Sequence, residues 1–268
     1  MQAVPLLLLS CVLALPPLPP LAAHPRLVLT PARLASVRAE IAGGGDAAAF
    51  GAQLFSHADW ALTEPPTPRG PTDPSVGVLM PVRRALDIML TTAAAAALNG
   101  SVARGAPYFE RALREVNQLC FNWSSPNNTD WNFVQHALDA GEASFAVGLA
   151  YDWLYPALTD AEQTNILSAL VEHGLGEYKK YIPQRNIAWW VNNSINWNCV
   201  CSAGGVVGGL AVMGDVGAPA WVLDAVVAPL VGGVEPCVAA VHTDSSWMEG
   251  PGCKLQREPP RAPKTARP

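Results

Sequence analysis

Segments with the apolar spacing of amphipathic α-helices follow one another along most of this chain, and no two neighbouring segments show the alternation of a β-hairpin. About eight such segments can be distinguished. Connections rich in glycine and proline separate them, such as Glu64–Ser75 with five prolines. Each helix must bury its apolar face against a neighbour, so the pattern predicts an all-α domain of antiparallel helix pairs.

Local signals mark where several helices begin. Thr30 places a capping hydroxyl before Pro31, which suits the first helical turn. Thr159 and Glu162 have the spacing of a capping box and predict a helix that continues to about Tyr181.

Three further segments have apolar spacing but weaker boundaries. Phe133–Tyr155 is predicted to be one long helix, Cys199–Met213 a buried helix, and Ala218–His242 the last helix. The polar stretch Asn192–Cys199 is predicted to be an irregular connection before the buried helix.

The two ends of the chain differ in composition from its middle. Residues 1–23 contain an apolar run, Val4–Leu15, that is too short to span a bilayer, and they predict a signal peptide cleaved before His24. A buried N-terminal helix is the alternative, which the proline cluster after the run disfavours. We expect one domain over residues 24–252, a disordered basic tail over 253–268 and no transmembrane segment. The protein is therefore expected outside the cell or in the lumen of the secretory pathway.

Sequons and cysteines agree with that expectation. Glycosylation acceptors are predicted at Asn99, Asn122, Asn127 and Asn192. Five cysteines would remain in the mature chain, of which Cys199 and Cys201 are too close for a zinc or redox CxxC motif. One disulfide or buried free thiols are expected, and neither a metal site nor a cofactor.

The formal net charge of −5 is unevenly distributed. Residues 254–268 carry five basic side chains and one acidic side chain, so the rest of the chain is strongly acidic. An acidic body argues against nucleic acid or a heavily sulfated polymer as partner.

Two polar segments have the side chains that sugar sites use. Asn192–Cys199 contains four amides and an indole, and Asp244–Gly252 contains an indole and two carboxylates. Amides can hydrogen-bond to sugar hydroxyls and indoles can stack on sugar rings. Helix caps and turns are the alternative interpretation of both segments.

Five segments, in this order, resemble motifs of the heparinase II/III-type polysaccharide lyases. They are His24–Leu27, His136–Glu142, Ala150–Tyr155, Asn196–Cys201 and Asp244–Gly252. The resemblance extends over nearly all of the mature chain up to Gly252, and the combination is more specific than any single motif.

This resemblance implies an incomplete α/α toroid and β-elimination at a uronic acid, with a uronate-containing polysaccharide of alginate or heparan type as partner. In the family an amide, histidine or glutamate neutralises the C5 carboxylate, and no metal is strictly required for the elimination. The matching positions imply Asn196, Asn198 and Glu249 as catalytic residues. Ser194 stands where related dermatan-sulfate epimerases carry a histidine.

Further positions are implied to bind the substrate: Asn193, Trp197, Trp247, His136 and His242. For His136 a role in packing is the alternative, and for His242 a favourable charge at a helix C-terminus. His173 is predicted to be solvated, and Tyr151 and Tyr155 to be core aromatics.

The chain departs from the family after Gly252. The expected catalytic tyrosine, a later histidine and the β-sandwich region are absent from this sequence. We therefore expect a shortened chain with little or no lyase activity, and a non-catalytic glycan-binding or structural helical domain as the alternative. The sequence leaves the oligomeric state open.

Overall fold

The computed structural model describes residues 21–123 and 131–239. Within these ranges the protein is mostly helical and contains no β-strand, so the prediction of an all-α fold is confirmed. The signal peptide over residues 1–23 falls outside them except for its last three residues, and the basic tail falls outside them entirely.

Ten α-helices lie in the described ranges. They are α1 (Pro31–Ala42), α2 (Gly45–Thr63), α3 (Leu79–Leu98), α4 (Pro107–Asn117), α5 (Ala137–Leu154), α6 (Asp160–Ala169), α7 (Gly176–Tyr181), α8 (Asn196–Val212), α9 (Ala228–Gly233) and α10 (Glu235–Ala239). A wider π-helical turn joins α6 to α7, so residues 160–181 form one continuous helical rod.

Both predicted N-terminal caps are present. The Thr30 hydroxyl accepts a hydrogen bond from the backbone N–H of Arg33 at the start of α1. At the start of α6, Thr159 and Glu162 form the reciprocal bonds of a capping box.

Three predicted boundaries were wrong. The long helix begins at Ala137 instead of Phe133, because Asn132 has a left-handed backbone (φ 62°) and His136 a non-helical one (φ −153°, ψ 84°). The helix predicted to begin at Cys199 begins at Asn196, so Asn196–Asn198 form its first turn and not an irregular connection.

The last predicted helix is divided into a π-helical turn and two short helices, α9 and α10. Pro229 lies just after the π-helical turn and cannot donate a backbone hydrogen bond, and Pro236 interrupts the helix again after Gly232 and Gly233.

Helices α3, α5 and α8 lie side by side and run in the same direction. Near their N-terminal ends, Arg83 of α3 pairs with Glu142 of α5, and His136 contacts Trp197 of α8. Towards their C-terminal ends, α5 and α8 meet again where Gly148 lies against Gly208.

Helices α2 and α7 run in the opposite direction. His57 of α2 pairs with Asp87 of α3, and Tyr178 of α7 donates to the carbonyl of Cys201 in α8. Since every helix of the row is followed by a returning helix, the N-terminal ends of α3, α5 and α8 come together at one end of the protein.

Small residues allow α5 and α8 to approach closely. A Cβ atom added at Gly204 would overlap the carbonyl oxygen of Gly141, and one added at Gly148 would lie 2.9 Å from the Gly208 Cα. This close approach fixes the register of α8 against α5 and thereby the position of Trp197 beside His136.

Candidate functional site

Most of the predicted site residues in the described ranges lie at the N-terminal ends of α5 and α8. His136 immediately precedes α5, and Asn196 and Trp197 are the first two residues of α8. Unpaired backbone N–H groups give a helix N-terminus a partial positive charge. This end of the row therefore suits a ligand that carries carboxylates.

His136, Trp189 and Trp197 form a partly exposed group that we call the aromatic surface. The ring of Trp197 lies between the other two, with centroid distances of 4.8 Å to His136 and 5.3 Å to Trp189. Trp189 is 44% exposed, so its indole is partly open to solvent. Flat apolar rings flanked by amides are suited to a sugar ring.

Asp139 holds the imidazole of His136 in place. Nδ1 of His136 donates to Oδ1 of Asp139 over 2.7 Å. The other carboxylate oxygen accepts from the backbone N–H of Val78 at 2.7 Å and from the Asn132 amide at 2.8 Å. Asp139 is fully buried, so its carboxylate has a single well-defined position.

The asparagines of the predicted site differ in environment. Asn193 is exposed and Asn196 is partly exposed, whereas Asn198 is fully buried. Both Nδ2 hydrogens of Asn198 go to backbone carbonyls, those of Asn193 and Gly233, each at 2.8 Å. Its carboxamide therefore has no hydrogen left for a substrate and instead fixes the chain on either side.

Other predicted residues are less informative about the site. His242, Trp247, Glu249 and the sequon at Asn127 lie outside the described residues. The remaining sequon asparagines, Asn99, Asn122 and Asn192, are all exposed.

The sequence predicted one disulfide or buried thiols, and the described residues contain both. Cys199 and Cys237 form a disulfide that joins the first turn of α8 to α10, whereas Cys120 and Cys201 are buried thiols outside any disulfide. Burial raises the pKa of both thiols, which keeps them protonated and unreactive.

Sequence reasoning missed Asp139 and Trp189 as partners in the site. His136 and Asp139 are three residues apart at a helix start, and this spacing could have predicted their contact. No local signal marks Trp189, because its contact with Trp197 depends on how the connection 182–195 folds back. The prediction that His173 is solvated was wrong, since its side chain is buried beside Trp131.

A second polar cluster lies at the opposite end of the row. Nδ1 of His24 bonds to Asp152 at the end of α5, and Nε2 lies 3.1 Å from Asp215 after α8. Arg26 and Tyr151 also bond to Asp215. The predicted core position of Tyr151 is confirmed, because its side chain is buried.

The pKa of His24 is set by opposing effects. Burial disfavours the charged imidazole, but the hydrogen bonds to Asp152 and Asp215 outweigh it and raise the pKa above 6.5. This cluster anchors the segment that precedes α1 to the ends of α5 and α8.

A groove of about 260 Å³ lies between α3, α5 and α8. Its lining is mostly apolar and consists of Leu86, Glu142, Phe145, Val200 and Ala203. Glu142 is also paired with Arg83 of α3.

Metal-binding groups and membrane-spanning helices are both absent from the described ranges. No group of three or more His, Cys, Asp or Glu side chains there could hold a metal ion. Across residues 21–123 and 131–239, every helix is too short or too polar to cross a bilayer.

Comparison with known proteins finds no family model and no curated protein that matches this chain. The fold and the aromatic surface define an all-α protein with a polar, aromatic site at the end of three parallel helices.

Proposed function

We propose that this protein is a secreted member of the heparinase II/III-type lyases that binds uronate-containing polysaccharide at the aromatic surface. The observation that carries the proposal is the exposed indole of Trp189 against Trp197, in the same connection and helix start as Asn193 and Asn196. The parallel row of α3, α5 and α8 with its returning helices is the arrangement from which an α/α toroid is built.

Within this site the exposed amides are better placed than Asn198 to neutralise the C5 carboxylate of a uronate. Neutralisation stabilises the negative charge that develops when the C5 proton leaves. We assign this role to Asn193 and Asn196 because their side chains reach solvent, whereas Asn198 is buried and becomes a positioning residue.

Entry into the secretory pathway has independent support. Disulfides persist in oxidising compartments, and Cys199 and Cys237 form one. The exposure of Asn99, Asn122 and Asn192 is what glycosylation requires.

A binding experiment tests the proposal. The purified protein is titrated by calorimetry with alginate, glucuronan, chondroitin and heparan sulfate oligosaccharides, while near-ultraviolet absorbance follows the unsaturated uronate produced by elimination. Loss of the stacking ring in Trp197→Ala should weaken binding about tenfold. Trp60→Ala is the matched control, because Trp60 is an exposed indole (39%) beside a histidine on another face of the protein.

The outcomes separate the two functional hypotheses. Binding with a rise in absorbance supports the lyase, and binding without it supports a non-catalytic glycan-binding domain. Binding of none of the four oligosaccharides, or equal losses in Trp197→Ala and Trp60→Ala, would contradict a polysaccharide site at the aromatic surface.

A further inference from the structure

We infer that an N-linked glycan on Asn192 controls access to the candidate site, because the sequon at residues 192–194 lies within the connection that forms it. The inference rests on the proposed function, both for entry into the secretory pathway and for polysaccharide binding. The sequence predicted the acceptor, but it indicated no effect of a glycan on the site. The attached sugar and the polysaccharide compete for the same surface.

The first step of the argument is the conformation of the acceptor. The backbone N–H of Asn193 donates to the carbonyl of Trp190 over 3.1 Å, which closes a tight turn, and Asn192 is its third residue with a left-handed φ of 66°. That position of a turn favours glycine or asparagine, which enter the left-handed region at little cost. The turn leaves the side chain of Asn192 exposed, as attachment of a glycan requires.

The second step is the fixed position of this turn. Nδ2 of the buried Asn198 donates to the carbonyls of Asn193 and Gly233, each at 2.8 Å. A Cβ atom added at Gly233 would lie 2.9 Å from Oδ1 of Asn192, so the acceptor side chain lies against the end of α9. A glycan on Asn192 therefore starts from a defined point beside the first turn of α8.

The third step is the overlap between the sequon and the site. Asn193, whose amide we assign to the uronate carboxylate, is the middle residue of the sequon, and its Cα atom is about 3.8 Å from that of Asn192. The exposed Trp189 precedes the acceptor by three residues, so their Cα atoms are at most about 11 Å apart. Because a glycan is bulky, it would fill the space through which a polysaccharide reaches Asn193.

A second acceptor allows an internal comparison. Asn99 is exposed and directly follows α3, so it lies at the C-terminal end of the row of helices. The aromatic surface lies at the opposite end of the same row. A glycan on Asn99 has the same chemistry as one on Asn192, but it does not obstruct the site.

The test compares three sizes of sugar at Asn192. The full chain is secreted from eukaryotic cells, and mass spectrometry of glycopeptides measures how much of Asn192 is modified. One sample keeps its glycans, a second is trimmed by an endoglycosidase that leaves a single sugar on each acceptor, and Ser194→Ala carries none at Asn192. Calorimetry measures the affinity of each sample for alginate, glucuronan, chondroitin and heparan sulfate oligosaccharides. Affinity should rise as the sugar becomes smaller, by at least about tenfold between the first and the third sample.

Two variants separate the glycan from the substitution itself. Ser101→Ala is the matched control, because it removes the sequon of Asn99 by the same change of serine to alanine, and it should bind like the unmodified protein. Ser194→Thr keeps the sequon and should also bind like the unmodified protein. Ser194→Ala retains the bond from the Ser194 backbone N–H to Oδ1 of Asn193, and circular dichroism checks that each variant folds.

Each outcome decides the question. Equal affinities of the three samples, an equal gain in Ser101→Ala, or an unmodified Asn192 in the secreted protein would overturn the inference and leave the proposed function intact. Failure of every sample to bind, Ser194→Ala included, would overturn both. A gain in the trimmed protein and in Ser194→Ala, but in neither Ser101→Ala nor Ser194→Thr, supports control of the site by the glycan.

Discussion

At the scale of single residues, Gly77 shows how the candidate site constrains its neighbours. Its backbone is left-handed (φ 60°), and a Cβ atom there would overlap the carboxylate of Asp139 and the amide of Asn132. Because both groups are buried and bonded to each other, neither can move aside without breaking the support of His136.

We therefore predict that Gly77→Ala lowers the free energy of unfolding by more than the cost of placing an alanine in the left-handed backbone region. Gly70→Ala is the matched control, since Gly70 has a similar φ of 68° and open space around it. The control should cost about 1–2 kcal/mol, and Gly77→Ala about 1–3 kcal/mol more. Urea unfolding measures both, and equal losses would show that the Asp139 contact is loose.

His24 gives a prediction about pH. Its pKa in the folded protein is above 6.5 because hydrogen bonds to Asp152 and Asp215 outweigh the burial that lowers it. The folded state thus binds this proton more tightly than the unfolded chain, so the contribution is complete below pH 6.5 and is lost as the pH rises through the folded-state value. Arg26, Tyr151 and Tyr155 are the other ionisable groups around the ring.

The measurement is the free energy of unfolding between about pH 5.5 and about pH 8, compared with that of His24→Gln. The difference between the two proteins should shrink towards high pH. A difference that grows with pH would mean that His24 is held neutral in the folded protein.

Sequence analysis at this scale succeeds where partners are close along the chain. The caps at Thr30 and Thr159 need only three residues of sequence and were predicted. The bond between His24 and Asp152 spans 128 residues and was not predicted. Both residues nevertheless belong to segments that resemble the lyase motifs. Such a contact depends on the packing of whole helices.

At the scale of helices, the contact between α5 and α8 decides the geometry of the candidate site. Gly204→Ala should destabilise the protein by about 1–3 kcal/mol or more, because its Cβ would overlap the Gly141 carbonyl and the backbone would have to move.

Gly232→Ala is the matched control for this change. Gly232 lies in α9 with nothing near its Cβ position, and alanine should stabilise that helix by up to about 1 kcal/mol. Thermal unfolding compares the two variants. If both change stability in the same direction, helix propensity rather than helix packing governs this contact.

The limits of sequence analysis at this scale have physical causes. The start of α1 and the helical rod over residues 160–181 were predicted correctly, since a cap in the sequence marks each start. Apolar spacing placed the start of α8 too late, because the amides of Asn196 and Asn198 look like a polar loop. The buried Asn198 can sit in a helix only because the carbonyls of Asn193 and Gly233 accept its hydrogens.

At the scale of the whole molecule, the parallel row of helices brings distant motifs together. The site forms at the N-terminal ends because each returning helix carries the chain back to the same end before the next member of the row. The sequence predicted helix pairing, but it could not show that His136 and Trp197, 61 positions apart, would be in contact. That contact follows from the register set by the glycines of α5 and α8.

The disulfide connects this row to the last described helix and leads to a final prediction. Cys199 and Cys237 are separated by 38 positions, and closing a loop of that size stabilises a fold by about 3–4 kcal/mol in the chain-entropy description.

The double variant Cys199→Ser, Cys237→Ser should lose stability of that order in urea unfolding. It should also bind oligouronates more weakly, because the Gly233 carbonyl that holds Asn198 lies in the same loop. A reducing agent should destabilise the unmodified protein but not the variant, since neither Cys120 nor Cys201 is part of a disulfide. Equal effects of the reducing agent on both proteins would show that this disulfide is not what holds the end of α8 in place.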